Sequence, residues 1–219
     1  MESGNARATG NDHPHLDSAG AGSRIVEYRK ADVIFTQGDP AVSVGYIQEG
    51  SLKLSVLSPT GREAVIAMLE PGDFFGEGCL AGQSFRRERA TAITDSTVLF
   101  VDKDEMKRQL HNEVPLSDRF IAHILARNIS IEEDLVDQLF NGIEKRLARK
   151  LLMLAKHSTP DNSQRVLPKV SQETLAEMVG ATRSRINFFM NKFKRSGFID
   201  YKDGLRINSS LLTVVARDQ

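Results

Sequence analysis

Arg183, Ser184 and Arg185 stand together at the start of a predicted helix, followed by further basic and amide residues. Arginine at a helix N-terminus is suited to bidentate hydrogen bonding with guanine O6 and N7. The neighbouring residues build that turn. Ser171 is suited as the N-cap of a short helix through Val179, with Leu175, Ala176 and Val179 on its buried side. Gly180-Ala181 supplies a tight turn, Thr182 caps a second helix running to about Arg195, and Gly197 falls at its C′ position. Ile186, Phe189, Met190 and Phe193 lie at i, i+3, i+4 and i+7, one apolar stripe. Two short helices around a glycine turn make a helix-turn-helix, whose second helix is expected in the DNA major groove. Arg183, Ser184, Arg185 and Asn187 are the base-edge candidates, with Thr182 and Lys202 on phosphate. Ser184, Arg185, Phe188, Asn191, Lys192 and Arg195 share the face opposite the apolar stripe. Phe188 has two readings: contact with a thymine methyl or sugar edge, or packing against another helix of its own domain.

The elements that must position this motif lie on both sides of it. Downstream, Phe198–Tyr201 and Leu205–Ile207 flank Lys202-Asp203-Gly204, a hairpin signal that would add a wing. Upstream, Pro115 opens a segment reaching Phe140 with no further proline or glycine. As a helix it would run roughly 39 Å. Ile121, Ile124, Asn128, Ile131 and Leu135 recur at alternating spacings of three and four, the seam of a two-stranded coiled coil with one polar position. Pairing with a second copy of the chain and packing inside one chain are the two readings of that seam. Gly142 interrupts the helix, and Ile143–His157 resumes it with Leu147, Leu151, Leu152 and Leu154 on a stripe. Ser158–Gln164 reads as a polar loop. Between Arg24 and Asp102 the apolar runs are short, as in Val33–Phe35, Val44–Ile47, Val65–Leu69 and Val98–Val101. Leu52, Leu54 and Val56 alternate with polar residues, and turn signals recur between the runs, which predicts a β-sandwich or small barrel. Met1–Ser23 holds little apolar bulk beyond Leu16 and reads as a disordered leader.

Composition narrows the functional class. The chain has 219 residues, 40% apolar and 26% charged, with no apolar stretch of membrane-spanning length and no apolar signal segment at its start. A cytoplasmic location is therefore expected. The zero net charge conceals a division. Residues 1–140 hold 14 basic and 22 acidic side chains, a net of −8. Residues 141–219 hold 15 basic and 7 acidic side chains, a net of +8, as a polyanion-binding part would. One cysteine, Cys79, excludes an all-cysteine iron–sulfur cluster and an internal disulfide. Cys79 is either a reactive thiol near a helix N-terminus or a small buried apolar residue. No histidine lies between His15 and His111, so a His-rich metal site in the β region, an axial haem histidine there and a metal-dependent enzyme are not expected. No phosphate-binding loop or nucleophile elbow is present, so the chain is not expected to be an enzyme. Arg86, Arg87 and Arg89 are dense for a β-hairpin and leave room for an anionic ligand.

The order of a turn-rich β region, a long helix and a winged helix-turn-helix resembles the Crp/Fnr superfamily of bacterial transcription regulators. Gly38-Asp39, Gly45-Tyr46-Ile47, Gly50, Pro71-Gly72-Asp73-Phe74-Phe75-Gly76-Glu77 and the Gly180 turn fall in that family's order. The resemblance implies an α+β chain: a cyclic-nucleotide-binding-like jelly roll over 24–114, a dimerisation helix over 115–141 and a winged helix-turn-helix domain over 142–219. It implies a homodimer on an inverted repeat of double-stranded DNA, with RNA polymerase as a further partner and no membrane. In cyclic-nucleotide binders of this fold, Gly76-Glu77 would take the ribose and Arg86 the phosphate, with cyclic AMP or another cyclic nucleotide as effector. Arg87 stands where a small hydroxyl residue is usual, and Ile131 and Glu132 stand where a Thr-Ser pair would meet the purine. A pairing of Glu77 with Arg86 in a scaffold that needs no effector is the competing reading. Ser184 occupies a position where guanine–cytosine readers often carry glutamate, so the half-site sequence stays open. A cyclic-nucleotide sensor acting on a protein partner is the alternative function.

Overall fold

A computed structural model describes residues 21–156, 160–161, 164–167, 170–201 and 204–216. The predicted leader and Lys202 lie outside these residues, apart from 21–23. The N-terminal part forms strands β1 (Ser23–Tyr28), β2 (Val33–Phe35), β3 (Ser43–Glu49), β4 (Leu52–Leu57), β5 (Glu63–Leu69), β6 (Phe74–Phe75), β7 (Arg89–Ala92) and β8 (Ser96–Asp102). They make two four-stranded sheets, ordered β1-β8-β3-β6 and β2-β7-β4-β5. Every apolar run named above falls on a strand. Gly50 joins β3 to β4 at φ +86°, and a Cβ there would lie 2.4 Å from the Asp95 carbonyl oxygen. Only glycine fits such a turn without strain.

The β core is aromatic. Phe75 stacks on Phe35 at 5.7 Å and meets Phe100 edge-on at 6.0 Å. Gly45 faces Phe75 across the β3–β6 pair. A Cβ at Gly45 would approach the Phe75 ring to 2.4 Å, and that ring is fully buried. Gly45→Ala is therefore an overpacking mutation. It is expected to cost about 2–3 kcal/mol, read as a lower urea midpoint with an unchanged slope.

The helices follow as α1 (Lys103–Asn112) and α2 (Val114–Phe140), the latter starting one residue before Pro115. Leu116 joins the core of Val44, Tyr46, Phe74, Leu99, Val101 and Met106, with Phe120 packed against it. Arg119 donates to the Tyr46 hydroxyl at 3.1 Å, and His123 Nε2 donates to the Phe74 carbonyl at 3.0 Å. Among the described residues, contacts group 21–54 with 68–123 as one unit and 55–67 with 124–216 as another. The boundary falls within α2, after His123, because these side chains tie the first turns of α2 to β3 and β6.

In the second unit, α3 (Ile143–Lys156) follows Gly142, the residue expected to interrupt the helix. Polar groups fasten α2 to α3 across that break. Lys150 Nζ bonds both Asp134 oxygens at 2.6 and 2.5 Å, Arg149 pairs with buried Asp137, and Arg146 donates to Gln138. The remaining elements are β9 (Pro160–Asp161), β10 (Gln164–Leu167), α4 (Gln172–Val179), α5 (Arg183–Arg195), β11 (Ile199–Asp200), β12 (Leu205–Asn208) and α6 (Leu212–Ala216). The wing is present: β11 pairs antiparallel with β12, Ile199 opposite Ile207. The sheet extends further than expected, in the order β11-β12-β10-β9. Ser158–Gln164 therefore contains strand where a loop was predicted. A two-residue strand has no periodicity of its own and exists through pairing with β10, which is held in turn by β12.

Candidate functional site

The helix-turn-helix is assembled by caps at both starts. Ser171 Oγ accepts from the Thr174 amide at 3.0 Å, and Thr182 Oγ1 accepts from the Arg185 amide at 3.4 Å. Gly180 adopts φ +67° at the end of α4. Gly197 adopts φ +72°, and the Phe198 amide returns to the Phe193 carbonyl at 2.9 Å, closing α5. Ile186, Met190 and Phe193 are buried against a core that includes Leu147, Leu151, Leu175, Val179, Ile199 and Ile207. Each such side chain contributes about 1.5–3 kcal/mol on leaving water, so the rotation of α5 about its axis is strongly set.

That rotation exposes Thr182, Arg183, Ser184, Arg185 and Asn187 together at the N-terminal end of α5. Arg183 lies 4.0 Å from Glu173, with both side chains mostly exposed, a pairing too weak to hold the guanidinium back from a ligand. Asn191 Nδ2 donates to Asn187 Oδ1 at 3.2 Å, and Gln172 Nε2 reaches the same oxygen at 3.5 Å. Gln172 was not foreseen in the site. Its sole signal was its place just after the α4 cap. Lys192 reaches Glu144 of α3 at 2.9 Å and so braces α5 instead of standing free.

The β part holds a second constellation. Gly76 adopts φ +72° and leads into a short 3-10 helix, Glu77–Ala81. Arg86, at 6% exposure, points back at it from the segment that leads into β7. Arg86 Nη1 donates to the Gly76 carbonyl at 2.8 Å and Nη2 to the Ser43 carbonyl at 2.7 Å. The Phe35 ring lies 4.4 Å from Arg86 Cζ. Nε has no hydrogen-bond partner among the described residues. Burial pulls the guanidinium pKa down, opposed by Cys79, Glu88, Glu77 and Asp39. A buried cation held on carbonyl dipoles favours an approaching anion. Gly76, Glu77 and Arg86 are thus brought together, whereas Arg87 is exposed and is not.

Residues 25–113 match the family model of the cyclic nucleotide-binding domain, and residues 145–210 match that of the Crp-like helix-turn-helix domain. A CRP-like cAMP-activated global transcriptional regulator of Mycobacterium tuberculosis is 27% identical over 176 residues, 80% of this chain and 79% of the relative. The chain belongs to the Crp/Fnr superfamily. Two solved structures share the Crp/Fnr fold. The c-di-GMP responsive global regulator CLP of Xanthomonas campestris superposes with a TM-score of 0.76 at 20% identity, over 86% of this chain and 94% of that one. FixK2 of Bradyrhizobium japonicum also gives 0.76 at 20% identity, over 90% and 98%.

Other Crp/Fnr features have definite places. Ile121, Asn128, Ile131 and Leu135 of the expected seam are exposed, while Ile124 is half-buried within the chain. The exposed apolar surface also takes in Leu125, Ile129, Val136 and Leu139. Asn128 Nδ2 donates to Glu132 at 2.8 Å, along the helix surface. Cys79 is buried in the core beside Val44, Phe74 and Leu99, and burial pushes its thiol pKa up, the small apolar role and not the reactive one. His123 is the residue that sequence reading missed in the β region. It reaches there from α2, with Nδ1 3.4 Å from Asp73 and its ring 5.6 Å from Phe74. Among the described residues no cluster of three metal-ligating side chains exists, and no helix is long and apolar enough to cross a membrane.

Proposed function

We propose that this Crp/Fnr-type transcription regulator binds an inverted-repeat DNA site as a homodimer, under control of a cyclic nucleotide held at Gly76, Glu77 and Arg86, with RNA polymerase as its downstream partner. The observation that carries the DNA part is the exposed first turn of α5, where Arg183, Ser184 and Arg185 stand clear of the buried Ile186, Met190 and Phe193. In a two-fold dimer each α5 enters one major-groove half-site, the two lying about 34 Å apart or a multiple of that. Thr182 contributes its hydroxyl to phosphate while its oxygen caps the helix, and Lys202 of the wing adds charge to the backbone contact.

The nucleotide part rests on Arg86, whose buried charge is set on two carbonyls and faces the Gly76 turn. The same two hydrogen bonds also support the scaffold reading, since they tie β3 to the turn without any ligand. Selection of bound duplexes from genomic fragments, with and without cyclic AMP at one fixed salt concentration, separates the two. An inverted repeat recovered only with the nucleotide supports effector control. The same repeat in both arms supports the scaffold. No specific duplex in either arm points to control of a protein partner.

Arg183→Ala is expected to weaken binding to the selected site by about 1–3 kcal/mol and to relax preference at one base pair of each half-site. Anisotropy titrations against single-position variants of the duplex check this. An equal loss on every sequence would make Arg183 a phosphate contact instead.

A further inference from the structure

The outward face of α5 carries one side chain that neither phosphate contact nor hydrogen bonding uses. Phe188 is 58% exposed. It follows Ser184 by four residues and precedes Asn191 by three and Arg195 by seven, so these four exposed side chains form one line along the helix. That line lies opposite the buried Ile186, Met190 and Phe193. The ring partner of Phe188 is Phe189, the next residue of the same helix, edge-to-face at 5.2 Å and 81°. Phe189 is half-buried, so the contact steadies the inner edge of the Phe188 ring and leaves its outer side open. Packing on another helix, the other reading of Phe188, does not cover that ring among the described residues.

The surroundings say what the ring can meet. Arg183, Arg185 and Arg195 are exposed around it, and Asn187 and Asn191 flank it with amides. Cations and amides suit a nucleic acid surface and do not suit an apolar protein groove. The apolar group that the major groove presents among its base edges is the C5-methyl of thymine. We propose that Phe188 is a specificity-determining residue that reads thymine by packing its ring on that methyl in each half-site. The inference rests on the DNA-binding role of α5 and adds the base that this position selects. Cytosine, which lacks the methyl and carries an amino group there, is disfavoured at the same position.

The test uses the full-length protein and the duplex recovered by selection. Each half-site thymine is replaced in turn by deoxyuridine, which keeps the pairing and the O4 acceptor and removes only the methyl. Binding is followed by anisotropy at fixed salt for the wild type, Phe188→Ala and Phe188→Leu, with thermal melts to confirm that the exposed substitutions leave the fold intact. At one thymine of each half-site the wild type is expected to lose roughly fourfold, the worth of one buried methyl. Phe188→Ala binds the two duplexes equally, and Phe188→Leu keeps part of the difference. Wild-type binding that is specific yet indifferent to every deoxyuridine overturns the role of Phe188 and leaves DNA binding standing. So does a Phe188→Ala protein that retains the wild-type preference. A wild type that selects no duplex removes the DNA reading, and this inference with it.

Discussion

Glutamate at both Leu125 and Val136 is expected to leave a folded monomer whose affinity for the inverted repeat falls about a hundredfold or more. The physical basis is the exposed face of α2. Leu125, Ile129, Glu132, Val136 and Leu139 recur at spacings of four, three, four and three, a heptad stripe. Leu125 is 58% exposed and Val136 50%. Apolar side chains in such a row are buried only by a second helix. Two carboxylates per chain placed on that row would face each other across the seam, desolvated and unpaired. The DNA consequence follows from avidity. A dimer presents its second α5 at an effective concentration set by the first, and linked sites commonly gain 10²–10⁴ in this way. Light scattering gives the mass, and anisotropy with full and half duplexes gives the affinity. A double variant that remains dimeric would remove this row as the seam and leave the face of Ile121, Asn128, Ile131 and Leu135. Ile124→Glu serves as contrast. Ile124 is half-buried in its own chain, so charge there lowers fold stability as well.

Arg86→Leu is expected to reduce cyclic AMP affinity by about 10²–10⁴-fold. Hydrogen bonds to a charged group contribute about 1.5–3 kcal/mol each, and a phosphate would draw two from this guanidinium. The substitution also strips the Gly76 and Ser43 carbonyls of their buried donor, while relieving the desolvation of the cation. Their balance predicts a modest loss of stability, about 1–3 kcal/mol. Arg86→Lys keeps the charge without the fork and should fall between the two. Calorimetric titration with cyclic AMP reads the first effect and urea unfolding the second. Tight nucleotide binding by a folded Arg86→Leu protein would show that the phosphate sits elsewhere. A loss of stability without any wild-type nucleotide binding would make Arg86 a brace between Gly76 and Ser43.

Local chemistry made the helix-turn-helix readable. Ser171, Gly180, Thr182 and Gly197 act within a turn of themselves, so their roles follow from residue type and offset. The short β runs were readable for the same reason, with Gly50 marking a turn that admits no other residue. Long-range partners were not. Nothing near Arg86 in sequence announces the Ser43 carbonyl, 43 positions away. His123 reads as one more polar residue of a long helix until Phe74 is seen beneath it. The seam of α2 is a subtler case. Ile121, Ile124, Leu125, Ile129, Ile131, Leu135, Val136 and Leu139 encircle much of the helix, so spacing alone does not say which of them the chain covers itself. Burial of Leu116 and contact by Phe120 and His123 decide the orientation of the first turns.

The fastening of α2 to α3 bears on how salt titrations of this protein should be interpreted. The logarithmic slope of affinity against salt is commonly converted into a number of released phosphate counterions. The pair of Lys150 with Asp134 lies partly in solvent, and dissolved ions screen such a pair. The pair of Arg149 with Asp137 is similar, its side chains 41% and 11% exposed, and is screened in the same way. Raising the salt would therefore loosen both points of the Gly142 joint, and the joint precedes the domain that carries α5. Part of the measured slope would then belong to the protein's own stiffness. Neutralising both pairs, by Asp134→Asn with Lys150→Gln and Asp137→Asn with Arg149→Gln, isolates the share that belongs to DNA.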